Sequence, residues 1–150
     1  MKVFRPFLGI IVSLSVLFSA AAGQRPLNPS KRAAVPPQYQ ILDLGVVLTG
    51  DSASQGFGVS PGGIAVGRSF RTNATQAFSW TFGPGIAGLP NLGGRSYSVA
   101  NAANDAGTVV GTGATTAFGS GRLPVVWQNG VVSQLPLPVG ETLGDANDVN

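Results

Sequence analysis

Ala103-Asn104-Asp105-Ala106-Gly107-Thr108-Val109-Val110-Gly111 is the stretch that decides the fold. Asn, Asp and Gly supply the local hydrogen bonds and the positive φ that a tight turn needs. Thr108-Val109-Val110 then leaves the turn with β-branched residues, the pattern of a hairpin arm. Ser60-Pro61-Gly62-Gly63-Ile64-Ala65-Val66-Gly67 is a weakened version of the same block, and Asp148-Val149-Asn150 is the start of a third.

Outward from that block the anchors keep a near-constant offset. Gly63 and Gly67 correspond to Gly107 and Gly111, 44 residues on, and Trp80 corresponds to Trp127, 47 residues on. Leu89, Gly94 and Asn104 correspond to Leu135, Gly140 and Asn150, 46 residues on. A period of about 45 residues suits four short strands with their turns, the size of one propeller blade. The expected fold class is therefore all-β: tandem four-stranded antiparallel repeats in an incomplete β-propeller-like array. Copy one spans 39–86, copy two spans 88–135, and a third starts near Leu135.

Within copy one, Tyr39–Leu44 is the expected leading strand, Ser60–Gly63 a turn and Ile64–Phe70 a strand. After a polar loop, Phe78, Trp80 and Phe82 alternate with smaller residues, which predicts a strand with one buried face. Gly83-Pro84-Gly85 turns the chain. Copy two gives Tyr97–Asn101, the turn at 104–107, Thr108–Gly111, Leu123–Gln128 and Val131–Leu135. Asn129-Gly130 joins the last two, a strong short-range hairpin signal. No segment after the leader has helical periodicity. Trp80 and Trp127 hold matching places in apolar strands and are expected in the core.

Met1–Gly23 has the form of a secretory signal peptide. Lys2 and Arg5 precede an apolar run from Phe7 to Phe18, and Ala20-Ala21-Ala22 offers a small-residue cleavage site. Cleavage after Ala22 or Gly23 leaves no membrane anchor, and no Cys follows the run to carry a lipid. Residues 24–38 contain Pro26, Pro29, Pro36 and Pro37 and read as an extended linker. The domain division is thus 1–23, 24–38 and 39–150, with export to the periplasm or the extracellular space.

Composition narrows the chemistry. The chain has no Cys and no His, and only 10% of its residues are charged. Disulfides, thiolate metal sites and His-based triads are excluded. From Gln24 onward seven bases oppose six acids, a net charge of +1, and three of the bases lie in the linker. No basic face for nucleic acid is implied.

Four local patterns bear on function. Gly83-Pro84-Gly85-Ile86-Ala87-Gly88 matches a dinucleotide fingerprint in letters, but Leu89-Pro90-Asn91 after it cannot form the helix that holds the pyrophosphate. Asp145-Ala146-Asn147-Asp148-Val149-Asn150 resembles the opening of a calcium loop, or else an Asx turn opening the third hairpin. Asp43, Asp51, Asp105 and Glu141 are candidates for a glycosidase carboxylate pair. They fall at different places in the repeat, which favours isolated surface acids. Asn73-Ala74-Thr75 is a glycosylation sequon by pattern only. No catalytic, cofactor-binding or metal-ligating residue is assigned, and calcium is the one cofactor the pattern raises.

Three motifs resemble those of the HAF repeat family of extracellular bacterial repeat proteins. Gln76-Ala77-Phe78-Ser79-Trp80 is similar to its His-Ala-Phe-x-Trp strand, with Gln in place of His. Gly88-Leu89-Pro90-Asn91-Leu92-Gly93-Gly94 is similar to its connector, and 103–111 to its Ile-Asn-Asp-x-Gly-x-Val-Val-Gly hairpin. Copy two departs at Leu123–Trp127, and copy one has Ser60-Pro61 for Asn-Asp. The resemblance implies secretion and a blade-like β-repeat, and carries no catalytic residues.

The function expected from the sequence is a secreted, non-enzymatic β-repeat protein serving as a surface or extracellular binding or structural module. The alternative is the N-terminal part of an extracellular propeller enzyme, carbohydrate-active or calcium-dependent, whose site lies in further blades. Closed propellers use about four to eight blades, and Asn150 falls inside a third hairpin pattern, so a longer array is expected. Self-association is the other way to cover open edges. Extracellular carbohydrate or protein is the expected partner class. N-terminal sequencing of the exported protein should read from Gly23 or Gln24; a start at Met1 would refute signal cleavage.

Overall fold

The computed structural model describes residue 36, residues 38–117 and residues 119–150. The signal segment 1–23, and the linker apart from residues 36 and 38, lie outside the described residues. All strands belong to one compact unit, Ile41–Asn150. Among the described residues there is no helix, and eight strands form one open sheet.

The strands are β1 (Ala53–Val59), β2 (Ala65–Arg71), β3 (Ala74–Thr81), β4 (Gly85–Gly88), β5 (Tyr97–Ala103), β6 (Val109–Ala114), β7 (Leu123–Gln128) and β8 (Val131–Gln134). β1 to β4 pair antiparallel in chain order, and so do β5 to β8. The two meanders meet through a single parallel bridge, Thr75 of β3 to Tyr97 of β5.

The two leading hairpins use the same devices. In β1–β2, Gly63 N–H donates to Ser60 O at 2.9 Å, and Ile64 N–H donates to Ser60 Oγ at 3.2 Å. In β5–β6, Gly107 N–H donates to Asn104 O at 3.1 Å, and Thr108 N–H donates to Asn104 Oδ1 at 3.0 Å. Ser60 thus does with a hydroxyl what Asn104 does with an amide. The Asn129-Gly130 turn has positive φ at both residues, 51° and 78°, the geometry whose twist matches that of the strands it joins.

Each leading hairpin also carries a bulge. The register skips Phe57 between Gly56 and Gly58, and skips Asn101 between Ala100 and Ala102. Opposite the bulges lie Gly67 and Gly111. A β-carbon on Gly67 would overlap the carbonyl of Gln55, and one on Gly111 that of Val99. The facing backbone cannot move aside as a flexible side chain would, so these are positions of forced close approach.

The core is a cluster of Val66, Ala77, Ala100, Ala103, Val109, Val125 and Trp127, with Leu89 and Leu92 of the connector packed against it. It therefore runs across both meanders.

Three expectations need correction. No strand forms at 39–44, and Ile41 there is 98% exposed. The leading strand is β1, whose two glycines give it little intrinsic strand propensity; its pairing with β2 makes it a strand. The polar loop before Phe78 is instead a tight turn at Thr72-Asn73 between β2 and β3. Finally, β3 does not have a single buried face. Ala77 and Phe78 are both fully buried, whereas Phe82 lies beyond the strand and is 86% exposed. Ala77 belongs to the core cluster and Phe78 does not, so the two adjacent side chains are covered on opposite faces of the strand.

Gly67→Ala and Gly111→Ala should each destabilise the protein by about 1–3 kcal/mol, as overpacking against fixed backbone does. Gly93→Ala, where an added methyl meets open space, should stay within about 0.5 kcal/mol of wild type. Urea unfolding midpoints would check all three; equal stability of Gly111→Ala and wild type would disprove the close-approach reading.

Candidate functional site

The bulges and the meander junction leave a cleft of about 400 Å³, within the size range of ligand pockets. Its lining includes Arg68 of β2, Thr75 of β3, Tyr97 and Asn101 of β5 and Thr112 of β6, together with Arg122 and Asp145.

Arg68 is held on several sides. Its Nε and Nη2 both donate to Gln55 Oε1, at 3.0 and 2.8 Å. Its guanidinium lies 5.5 Å from the ring centroid of Phe57 and 5.6 Å from that of Phe70, within cation–π range. Phe57 is the bulged residue of β1, so the irregularity sets that ring beside Arg68. Among the described residues no carboxylate pairs with Arg68, whereas Arg71 pairs with Asp51 at 3.4 Å and Arg122 with Asp145 at 3.3 Å.

Thr112 holds the place in β5–β6 that Arg68 holds in β1–β2: Gln55 faces Arg68 and Val99 faces Thr112. Thr112 Oγ1 donates to Asp145 Oδ1 at 2.7 Å. Asn101, the bulged residue of β5, donates through Nδ2 to Ala146 O at 2.9 Å. The cleft thus holds hydroxyls, one amide, one aromatic ring, a neutralised Arg–Asp pair and one cation without a counter-charge. Nothing in the sequence pointed to it. The available signal was Arg68 itself, a charge in the middle of a strand whose other charge, Arg71, stands at its end.

The residues singled out in sequence are scattered. Gly85–Gly88 forms β4, and Gly83 lies in the turn before it, so the fingerprint letters belong to a hairpin. Asp145 is engaged by Arg122 and Thr112, and Asp148 accepts from Val149 N–H at 2.8 Å. Among the described residues no three acidic side chains gather as a metal site would require. The four candidate acids do not share partners. Asp43 Oδ1 accepts from Gly45 N–H at 2.9 Å, and Asp105 Oδ1 from Gly62 N–H at 2.6 Å. Asp51, expected at the surface, has its side chain only 4% exposed and accepts from Ser69 Oγ at 2.6 Å. Asn73 of the sequon sits in the β2–β3 turn with φ 63°.

The two tryptophans differ. Trp127 is buried in the core, as expected, and its Nε1 donates to Pro90 O at 2.7 Å. Trp80 is only partly buried and meets Phe82 edge-on, 6.5 Å between centroids. The connector passes Trp127 with an acceptor in reach; at the corresponding place before β1 stands Val46, which is exposed.

Comparison of the chain with protein-family models, curated proteins and solved structures finds no match.

Away from the cleft, Asp105 links the two hairpin turns. The Ser60 hydroxyl, and after it Gly62 N–H, hold its carboxyl below the ordinary value, with a small opposing effect of burial. A carboxyl with a lowered folded-state value binds fewer protons folded than unfolded as pH drops, so its stabilisation is present above the ordinary aspartate value and is lost as pH falls through the lowered one. Asp105→Ala should therefore flatten the acid limb of a stability–pH profile; an unchanged limb would remove Asp105 from it.

Proposed function

We propose that the chain is an exported, non-enzymatic array of blade-like β-repeats of the HAF type, and that the cleft across successive repeats is its binding surface for an extracellular polymer. The observation that carries the array reading is the docking of the C-terminal segment. Gly144 N–H donates to Arg122 O at 3.1 Å and Ala146 N–H to Gly111 O at 3.2 Å. Those places correspond, by the sequence offsets, to where β5 approaches β3 and β2. A third repeat thus begins on the second as the second begins on the first.

Further recurrences support it. Leu48–Asp51, Leu92–Arg95 and Pro138–Glu141 are turns each closed by an N–H from the last residue to the carbonyl of the first, at 3.0, 2.9 and 3.1 Å. Leu89 N–H donates to Ala77 O and Leu135 N–H to Pro124 O, both at 2.8 Å. Repeats stacked this way are stabilised mainly by their neighbours, and their shared face is the usual binding surface. The chain's lack of His and Cys, with Asp51, Asp105 and Asp145 engaged at separate points, favours binding over turnover.

The purified exported protein should co-sediment saturably with extracellular polysaccharide from its producing organism and release no new reducing ends. Release of reducing ends would replace this reading with the enzyme alternative. Failure to co-sediment with any extracellular polysaccharide would leave a structural role in place of a binding one.

A further inference from the structure

We infer that the cleft selects acidic oligosaccharides, with the carboxylate of a uronic acid residue seated on Arg68. The inference rests on the binding reading above and names its ligand class. Arg68 is the starting point. Gln55 occupies the Nε/Nη2 edge of its guanidinium, and the Phe57 and Phe70 rings fix the group from the side. Among the described residues the Nη1/Nη2 edge has no further protein partner, and that planar fork matches the two oxygens of a carboxylate. A guanidinium already held in one orientation loses little freedom when it binds, which favours affinity.

The other lining groups point to a sugar. Thr75 brings a hydroxyl, Thr112 and Asn101 each keep an acceptor oxygen beside the donors they commit to Asp145 and Ala146, and Tyr97 adds an aromatic body with a polar tip. Such groups suit the hydroxyls and ring faces of a saccharide better than an apolar anchor. A nucleic acid would need several uncompensated cations to match its phosphates, and this cleft has one, because Arg122 is matched by Asp145. The arrangement also runs across repeats: Arg68 and Thr112 are corresponding places in successive hairpins. A ligand that spans them is extended, and only one of its units meets the free charge.

The test is calorimetric titration of the full exported chain with three probes of equal length: octagalacturonate, its methyl ester, and a neutral galactose octamer. Wild type should bind octagalacturonate at least about tenfold more tightly than the methyl ester, as one charge-assisted bidentate contact would give. Arg68→Gln should lose about that factor, and Arg68→Lys should recover part of it, since it keeps the charge and loses the fork. Arg71→Gln, which removes a cation already paired with Asp51, should change affinity by no more than about twofold. Urea midpoints would establish that each variant is folded, and Arg68→Lys gives a readout if Arg68→Gln is not.

Equal binding of the acid and its ester, or full affinity in Arg68→Gln, overturns the inference. If the neutral octamer binds as tightly as the acid, the inference fails while the binding reading stands. If none of the three binds, the inference also fails, and co-sedimentation then decides the binding reading separately.

Discussion

At Gly67 and Gly111 the backbone of one strand lies against the carbonyl of its neighbour so closely that no β-carbon fits between them. The rest of the sheet depends on that approach. It goes with the bulges, because the strand facing each glycine holds one residue more than its partner. A bulge turns its extra side chain out of the regular alternation. The extra residues are Phe57 and Asn101, and both serve the cleft: one against the Arg68 guanidinium, the other lining the wall. The constraint that closes the hairpins therefore also shapes the surface they present.

The hairpins were legible in sequence because their chemistry is local. Asn104-Asp105-Ala106-Gly107 and Asn129-Gly130 specify turns from within a few residues, and the strands beside them follow. β1 was not legible, since Ala53–Val59 carries two glycines and owes its conformation to β2, its partner. Tyr39–Leu44 has the better strand composition yet forms none, since none of the described strands pairs with it. The same distinction separates the tryptophans. Matching sequence positions suggested matching environments, but Trp127 sits in the core cluster with its Nε1 donating to Pro90 O, whereas Trp80 is only partly buried. Arg68 was invisible for a related reason. Its environment is made by Gln55, Phe57 and Phe70, and the first two lie on another strand.

Charge is scarce in this chain, and among the described residues two ion pairs form. Asp51 engages Arg71 and the buried Ser69 hydroxyl, and Asp145 engages Arg122 and Thr112. Asp105 reaches from the second hairpin turn to the first, so an acid on the surface serves as a link between neighbouring turns. Surface ion pairs contribute little to stability on their own. The value of these contacts is positional, since each ties together segments distant in sequence. Against this background an arginine fixed by an amide and two rings, with no acid beside it, is poorly explained as a stabilising device. Its neighbours orient it without neutralising it, which is the arrangement expected where the charge is meant for something outside the protein.

The comparison between the two hairpins sharpens the point. Their backbones share the turn, the bulge and the forced glycine, yet they place Arg68 and Phe57 in one and Thr112 and Asn101 in the other. Stability alone would accept the same residues at both, because the frame is the same. The side chains differ at the cleft and also at Val59 and Ala103, Ala65 and Val109, and Ser60 and Asn104, whereas Val66 and Val110, beside the glycines, are the same residue and both buried. A uniform frame with unlike cleft residues is what an array needs if successive repeats are to read different units of one extended ligand. On the proposed reading the glycines and turns carry the fold, and the bulged residues and their cross-strand neighbours would carry the specificity.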